Sequence, residues 1–283
     1  TIISRQAATT SSSSSPVRII RQQVASLSAD NTTDIIMPSS SSKSKRKRTT
    51  TAEHENQQQQ QLLQPWYHKF TQSDPLYTNY MRNEWSHEKQ TDNELFEKLC
   101  LEGAQAGLSW RTILHKREAY RRAFHEFDID KVASMSTSDI DNLMMLQQPQ
   151  SKDHTTSDRS SQEVTVVRHR GKLESVINNA KMIQKLKANG IITTTFSRYL
   201  WSFVNNKPIL NSWKTINEMP SKTTESEMMS KELKKHGFKF VGPTTCYSLM
   251  QSCGFVIDHV VEGEEWVEAE KRLKKRKGGY ERR

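Results

Sequence analysis

The sequence predicts an all-α fold, and three observations carry that expectation. Apolar residues recur at helical spacing from Trp66 onwards, helix-start and helix-stop residues bracket those runs, and no stretch shows a convincing period-two alternation. The 283 residues carry a formal net charge of +10, with 34% hydrophobic residues and a mean hydropathy of −0.80. That balance is too polar for a chain that is globular throughout. A folded domain of roughly 200 residues with polar tails accounts for it and is long enough to bury a proper core. No apolar run reaches the ~18 residues of a membrane-spanning helix, so no membrane partner is expected. Cys100, Cys246 and Cys253 lie in apolar helical context without paired spacing and read as reduced core residues.

Residues 1–64 are low-complexity (Ser11 to Ser15, Ser39 to Ser42, Gln57 to Gln61) and are expected to be disordered. Arg5, Arg18 and Arg21 precede the first acid, Asp30, as in an organellar transit segment. Lys43-Ser44-Lys45-Arg46-Lys47-Arg48 suits nuclear import instead. A solvated tail is the plain alternative to both, and the compartment is left between nucleus and mitochondrion or plastid. This segment holds eight Lys/Arg against four Asp/Glu, and residues 262–283 hold eight against six. The basic excess is therefore shared with the central part, which is compatible with a polyanionic partner.

From Trp66 the helices follow in order. Thr91 to Glu94 has capping-box spacing ahead of Leu95, Phe96 and Leu99. Ser109 offers an N-cap to a helix carrying Trp110, Ile113, Leu114, Tyr120 and Phe124. Asp128 caps a short helix with Val132 and Met135, and Ser136 with Asp139 starts another through Ile140, Leu143 and Met144. Residues 147–164, rich in Gln and Ser with Pro149, read as an exposed inserted loop. Helix resumes with Leu173, Val176, Ile177, Ala180, Ile183 and Leu186, ends near Gly190, and returns with Phe196, Leu200 and Phe203 before Pro208.

Two stretches suggest chemistry. In Leu101-Glu102-Gly103-Ala104-Gln105-Ala106-Gly107-Leu108-Ser109-Trp110, a carboxylate is followed by residues with almost no side chain and then by an indole. Glycine inside a helix costs roughly 1 kcal/mol, so something is expected to approach this backbone closely. An acid, space beside it and an indole suit a flat, electron-poor ring; a tight helix–helix contact with Glu102 on the surface is the alternative. The second stretch is a hairpin over residues 231–253. Lys231 to His236 leads into Gly237-Phe238-Lys239-Phe240-Val241-Gly242, and Pro243 opens a second helix. Free amides at that N-terminus suit a phosphate, with Lys234, Lys235 and Lys239 alongside; an ordinary corner would leave the amides to water.

These pieces, taken with Asp74-Pro-Leu-Tyr77, Tyr80, Asn83-Glu-Trp85, Lys116-Arg-Glu118, Arg168-His-Arg-Gly171, Trp201-Ser-Phe-Val-Asn205 and Asp258-His-Val260, resemble the constitutive bacterial 3-methyladenine DNA glycosylases of the helix-hairpin-helix superfamily. The likeness covers roughly residues 66–262. It implies a glycosylase domain over 65–263. Residues 264–283, acidic first and basic after, read from their own charge pattern as a charged C-terminal helix or tail. Its basic half is open to DNA contact or a second nuclear signal, with a solvated helix as the plainer account. The likeness further implies a hydrolase that releases 3-methyladenine from alkylated double-stranded DNA by base flipping. Glu102 would accept hydrogen bonds from the cationic base, Tyr80 and Trp110 would wall it, and Leu108 would fill the vacated stack. Lys239, Val241, Gly242 and Thr244 would meet the DNA backbone. Asp258 falls near the place of an acid that supports the chemistry in many relatives. Pro243-Thr244-Thr245 occupies the stretch where lyase relatives carry a Lys nucleophile, which implies a monofunctional enzyme, expected to act as a monomer.

The metal ligands of bacterial members do not carry over. His68, Met81, His259 and Gly263 stand where two Cys and two His bind zinc, and His87 or Glu264 are the remaining candidates, so no metal or other cofactor is expected. Three scattered cysteines also cannot hold an iron–sulfur cluster. Two further readings stay open: a non-catalytic DNA-binding module, and a glycosylase with altered base choice.

Overall fold

The computed structural model describes residues 65–145 and 165–283. The transit, import and tail readings of residues 1–64 and the inserted loop at 147–164 lie outside the described residues. The first helices are short: α1 (His68–Thr71) and α2 (Pro75–Asn83), the latter capped by Asp74, which accepts from the Tyr77 amide at 3.0 Å. α3 (Asp92–Gln105) is the central element. Its capping box is present: Thr91 Oγ1 accepts from the Glu94 amide at 3.3 Å, and Glu94 accepts from the Thr91 amide at 3.2 Å. Leu95, Phe96, Leu99 and Leu101 are buried, as helical spacing expects.

α4 (Trp110–Ala123) starts at Ser109, whose hydroxyl accepts from the Thr112 amide. α5 (Ile129–Ser134), α6 (Thr137–Met145) and α7 (Arg170–Ala188) follow, and α3 packs against α4 and α7. Next come α8 (Phe196–Trp201), then α9 (Thr224–Lys235) and α10 (Pro243–Ser252), which form a close helical pair joined by residues 236–242. Gly254 follows α10 with a φ of +72°, and an added Cβ would lie 2.6 Å from the Glu88 amide nitrogen. That crowding marks where residues 86–89 cross the end of α10, held by Ser86 and Lys89 amides on the Gln251 and Cys253 carbonyls.

The structure departs from the sequence reading in two places. Strands do occur: β1 (Ile209–Leu210), β2 (Val256–Ile257) and β3 (Glu281–Arg282) form a parallel ladder in the order β2-β1-β3, with Ile209 opposite Val256 and Glu281. Two-residue strands leave no period to detect. The carboxy-terminal segment is also no solvated appendage. α11 (Glu264–Lys274) buries Trp266, Ala269 and Leu273 against Leu210 and Ile257, a stripe hidden among charges in the sequence. Tyr67 donates to Glu265 at 2.8 Å and Arg272 to the Ser86 carbonyl at 3.0 Å, so both ends of the described domain meet there.

Candidate active site

The end of α3 carries Glu102 into a narrow cavity lined by Trp66, Tyr77, Tyr80, Trp85, Trp110 and Gln251 together with Met81, Ile216 and Met219. Glu102 is only 3% exposed, and its Oε2 has no hydrogen-bond partner among the described residues. The indole nitrogens of Trp66 and Trp110, also buried, are likewise unpartnered. Buried polar groups are nearly always satisfied, so one orphaned acceptor and two orphaned donors on the lining of a single cavity point to a missing polar guest. Burial pushes the Glu102 carboxyl up to about 7, against the pull of Lys98 and of the Ser252 hydroxyl, which both favour the anion.

Tyr80 and Trp110 are both buried and line this cavity, but not as facing walls. Their centroids are 5.2 Å apart with 41° between the planes, so they touch and form one corner. Rings in contact leave no slot between them for a flat guest. The close approach expected at Gly103 is to protein: an added Cβ would lie 3.1 Å from Phe240 Cβ, so the missing side chain lets α3 abut the α9–α10 turn. Leu108 sits half-buried on the turn after Gly107, its amide bonded to the Gln105 carbonyl at 2.6 Å.

The turn itself is clamped from α7. Asn179 accepts from the Lys239 amide at 2.8 Å and donates to the Lys239 carbonyl at 3.1 Å, while Asn178 donates to the Gly237 carbonyl. Lys239 stays exposed, and Gly242 N-caps α10 without a side chain, with Pro243 next, so the Thr244 and Thr245 amides head a free helix N-terminus. Val241 presents only its main chain to the turn: its side chain is in the core and its carbonyl accepts from Ser230.

Asp258 does not fit a direct chemical role. It is 0% exposed, is not among the cavity lining, and has every acceptor position engaged: Oδ1 accepts from Asn211 and Trp213, both at 2.7 Å, and Oδ2 from Tyr247 at 2.5 Å and Gln251 at 2.7 Å. A carboxylate with four donors has no capacity left for water or sugar. It ties the 211–219 segment, which supplies Ile216 and Met219, to α10, which supplies Gln251.

The carried-over metal positions do not fit a zinc ion. Met81 lines the cavity, Gly263 has no side chain, and His259 packs edge-on against Trp85 at 5.0 Å. Burial, with His87 and the Arg272 guanidinium beside it, pushes His259 down to about 3, and that guanidinium would repel a cation from the His87–His259 pair. Among the described residues no group of three His, Cys, Asp or Glu is placed to hold a metal.

Several site residues escaped the sequence reading. Lys98 and Gln251 sit in helices among apolar neighbours, and only the four-residue spacing of Lys98 and Glu102 hinted at a pair. Lys172, one residue past the Arg168–Gly171 motif, donates to the Ala104 and Ala106 carbonyls at 2.7 and 2.5 Å and braces the end of α3.

Comparison with known proteins fits this geometry. The methyladenine glycosylase family matches residues 70–265. DNA-3-methyladenine glycosylase 1 of Escherichia coli (strain K12) is 44% identical over 192 residues, 68% of this chain and 92% of that protein. A structure of 3-methyladenine DNA glycosylase I from Staphylococcus aureus, described as showing the basis of 3-methyladenine recognition, is similar with a TM-score of 0.59 and 35% identity, covering 68% of this chain and 91% of its own. A variant of such an enzyme in complex with 3-methyladenine has a TM-score of 0.58 and 34% identity over 68% and 92% of the two chains.

Proposed function

The chain belongs to the methyladenine glycosylase family, and on that premise we propose that it is a base excision repair glycosylase that hydrolyses the N-glycosidic bond of 3-methyladenine in alkylated DNA. The observation that carries this reading is the orphaned, buried Glu102 carboxylate beside the Tyr80–Trp110 corner. A purine methylated at N3 and still attached to sugar is a cation. Its glycosidic bond is already weakened, so the protein has chiefly to extract the base and select it. Flipping costs a few kcal/mol, and the pocket offsets that cost only for a guest with positive charge and hydrogen-bonding edges. A carboxylate in a dry site favours the cation over neutral adenine, and the ring corner adds about 0.5–2 kcal/mol of cation–π attraction.

The α9–α10 pair serves, on this reading, as the helix-hairpin-helix element that grips the DNA backbone. The α10 N-terminus would take a phosphate, Lys239 would add charge, and Leu108 would enter the vacated stack. Gly103 joins the two halves, since α3 meets the turn at Phe240. The enzyme is monofunctional: Pro243-Thr244-Thr245 offers no amine, and Lys98 sits behind the rings rather than on the cavity lining. The full chain, incubated with methylated duplex DNA, is expected to release free 3-methyladenine on chromatography. Retained DNA binding without release would make it a binding module, and release of a different base would reassign its specificity.

A further inference from the structure

We infer that Lys98 is a positioning residue for the pocket: its buried ammonium group holds Glu102 as an anion in a cavity that would otherwise protonate it. Lys98 is 4% exposed, and its Nζ finds no hydrogen-bond acceptor among the described residues. It lies 4.4 Å from the Tyr80 ring centroid, 5.3 Å from that of Trp110, and 3.9 Å from Glu84 Oε2. A lysine stripped of water without hydrogen bonds destabilises a fold, and an aliphatic side chain would fill this face of α3 at lower cost. Its place is explained by what it faces. Residues four apart share a helix face, so Lys98 stands one turn before Glu102; its ammonium pulls on the Glu102 carboxyl through space, and both rings it covers line the Glu102 cavity.

The surrounding charges leave that task to Lys98. From α2 and its C-cap come Tyr77, Tyr80 and Glu84; from α4, Arg117; from the end of α10, Ser252 and Cys253; and Lys89 lies in the segment crossing it. Burial keeps both tyrosines and Cys253 neutral, the thiol being pushed up to about 12. Arg117 is already engaged, its Nη1 and Nη2 on Glu84 at 2.5 and 3.0 Å. Arg117, Glu84, Lys98 and Glu102 thus alternate in sign from the half-buried edge to the pocket, and a cationic base continues the alternation. With Lys98 removed, only the Ser252 hydroxyl would oppose burial at Glu102, and the pocket would lose its charge near neutrality.

This inference rests on the reading of Glu102 as the base-binding carboxylate, so its test has a readout besides activity. In the full chain labelled with ¹³C at Glu Cδ and Lys Cε, with Glu102→Gln for assignment, Lys98 is expected to remain an ammonium across the range where Glu102 ionises. A neutral Lys98 beside an ionised Glu102 would overturn the inference without any variant at Lys98. In Lys98→Met the Glu102 pKa is expected to rise by about one unit or more, and the acid limb of kcat/KM for base release to move up equally, a roughly tenfold loss on that limb. Lys98→Arg should keep the limb in place. An unmoved Glu102 pKa in a folded Lys98→Met protein would refute the role. A shifted pKa with an unmoved rate profile would uphold it while removing Glu102 from base binding.

Discussion

Glu102 and Asp258 are two carboxylates sunk equally deep in one fold, 3% and 0% exposed, yet their surroundings are opposite. Asp258 accepts four hydrogen bonds from Asn211, Trp213, Tyr247 and Gln251, and is not on the lining of the Glu102 cavity. Glu102 keeps an oxygen with no partner, in a cavity whose lining has two orphaned indole donors. Burial alone therefore marks neither as chemical. What separates them is spare hydrogen-bonding capacity, which a fold tolerates only where a ligand or a neighbouring charge compensates. Gln251 connects the two regions: its amide nitrogen is fixed by Asp258 while its side chain lines the Glu102 cavity. The satisfied acid shapes the pocket that the unsatisfied one uses.

The largest effect is expected from Glu102→Gln, which keeps shape and removes charge. Release of 3-methyladenine should fall on the order of 100-fold in kcat/KM, with affinity for undamaged duplex nearly unchanged. Equal loss of both would make Glu102 a structural acid like its counterpart. Asp258→Asn should act on the opposite axis, stranding donors that now meet a carboxylate and lowering unfolding free energy by about 3 kcal/mol in chemical denaturation. A variant of native stability with abolished activity would erase the distinction and return Asp258 to the chemistry.

The pH profile sharpens the contrast. The glycosidic substrate carries a fixed charge that does not titrate, whereas Glu102, with its carboxyl raised to about 7, is an anion only above that pH. Rates should therefore rise roughly tenfold per unit below about 7 and level off above it, and the limb should vanish in Glu102→Gln. The smallest effect belongs to the hairpin. Lys239→Ala should weaken all duplexes alike by a few-fold and reduce the salt dependence of binding by about one ion, measured by titration at several salt concentrations. Preferential loss for methylated DNA would instead connect Lys239 to base selection.

Much of this is legible in the sequence. The caps at Thr91, Ser109 and Asp128 act where they stand in the chain, because a cap needs only its own next three residues. The hairpin turn and the acid–small–indole run are equally local. Other features depend on which distant segments meet. The amino-terminal tryptophan Trp66 reaches the same cavity as Met219, and α11 docks through three apolar residues among charges. What approaches Gly103, left open by the sequence, is Phe240 of the hairpin turn.

The sequence by itself determined the helices, their ends and the family likeness, since periodicity and capping are written within a few residues of each other. Only the tertiary structure decided that Glu102 is left unsatisfied while Asp258 is saturated, that Tyr80 and Trp110 make a corner, and that Lys98 is sealed behind them. Charge state, solvation and hydrogen-bond satisfaction are sums over neighbours drawn from the whole chain, and no local pattern contains that sum.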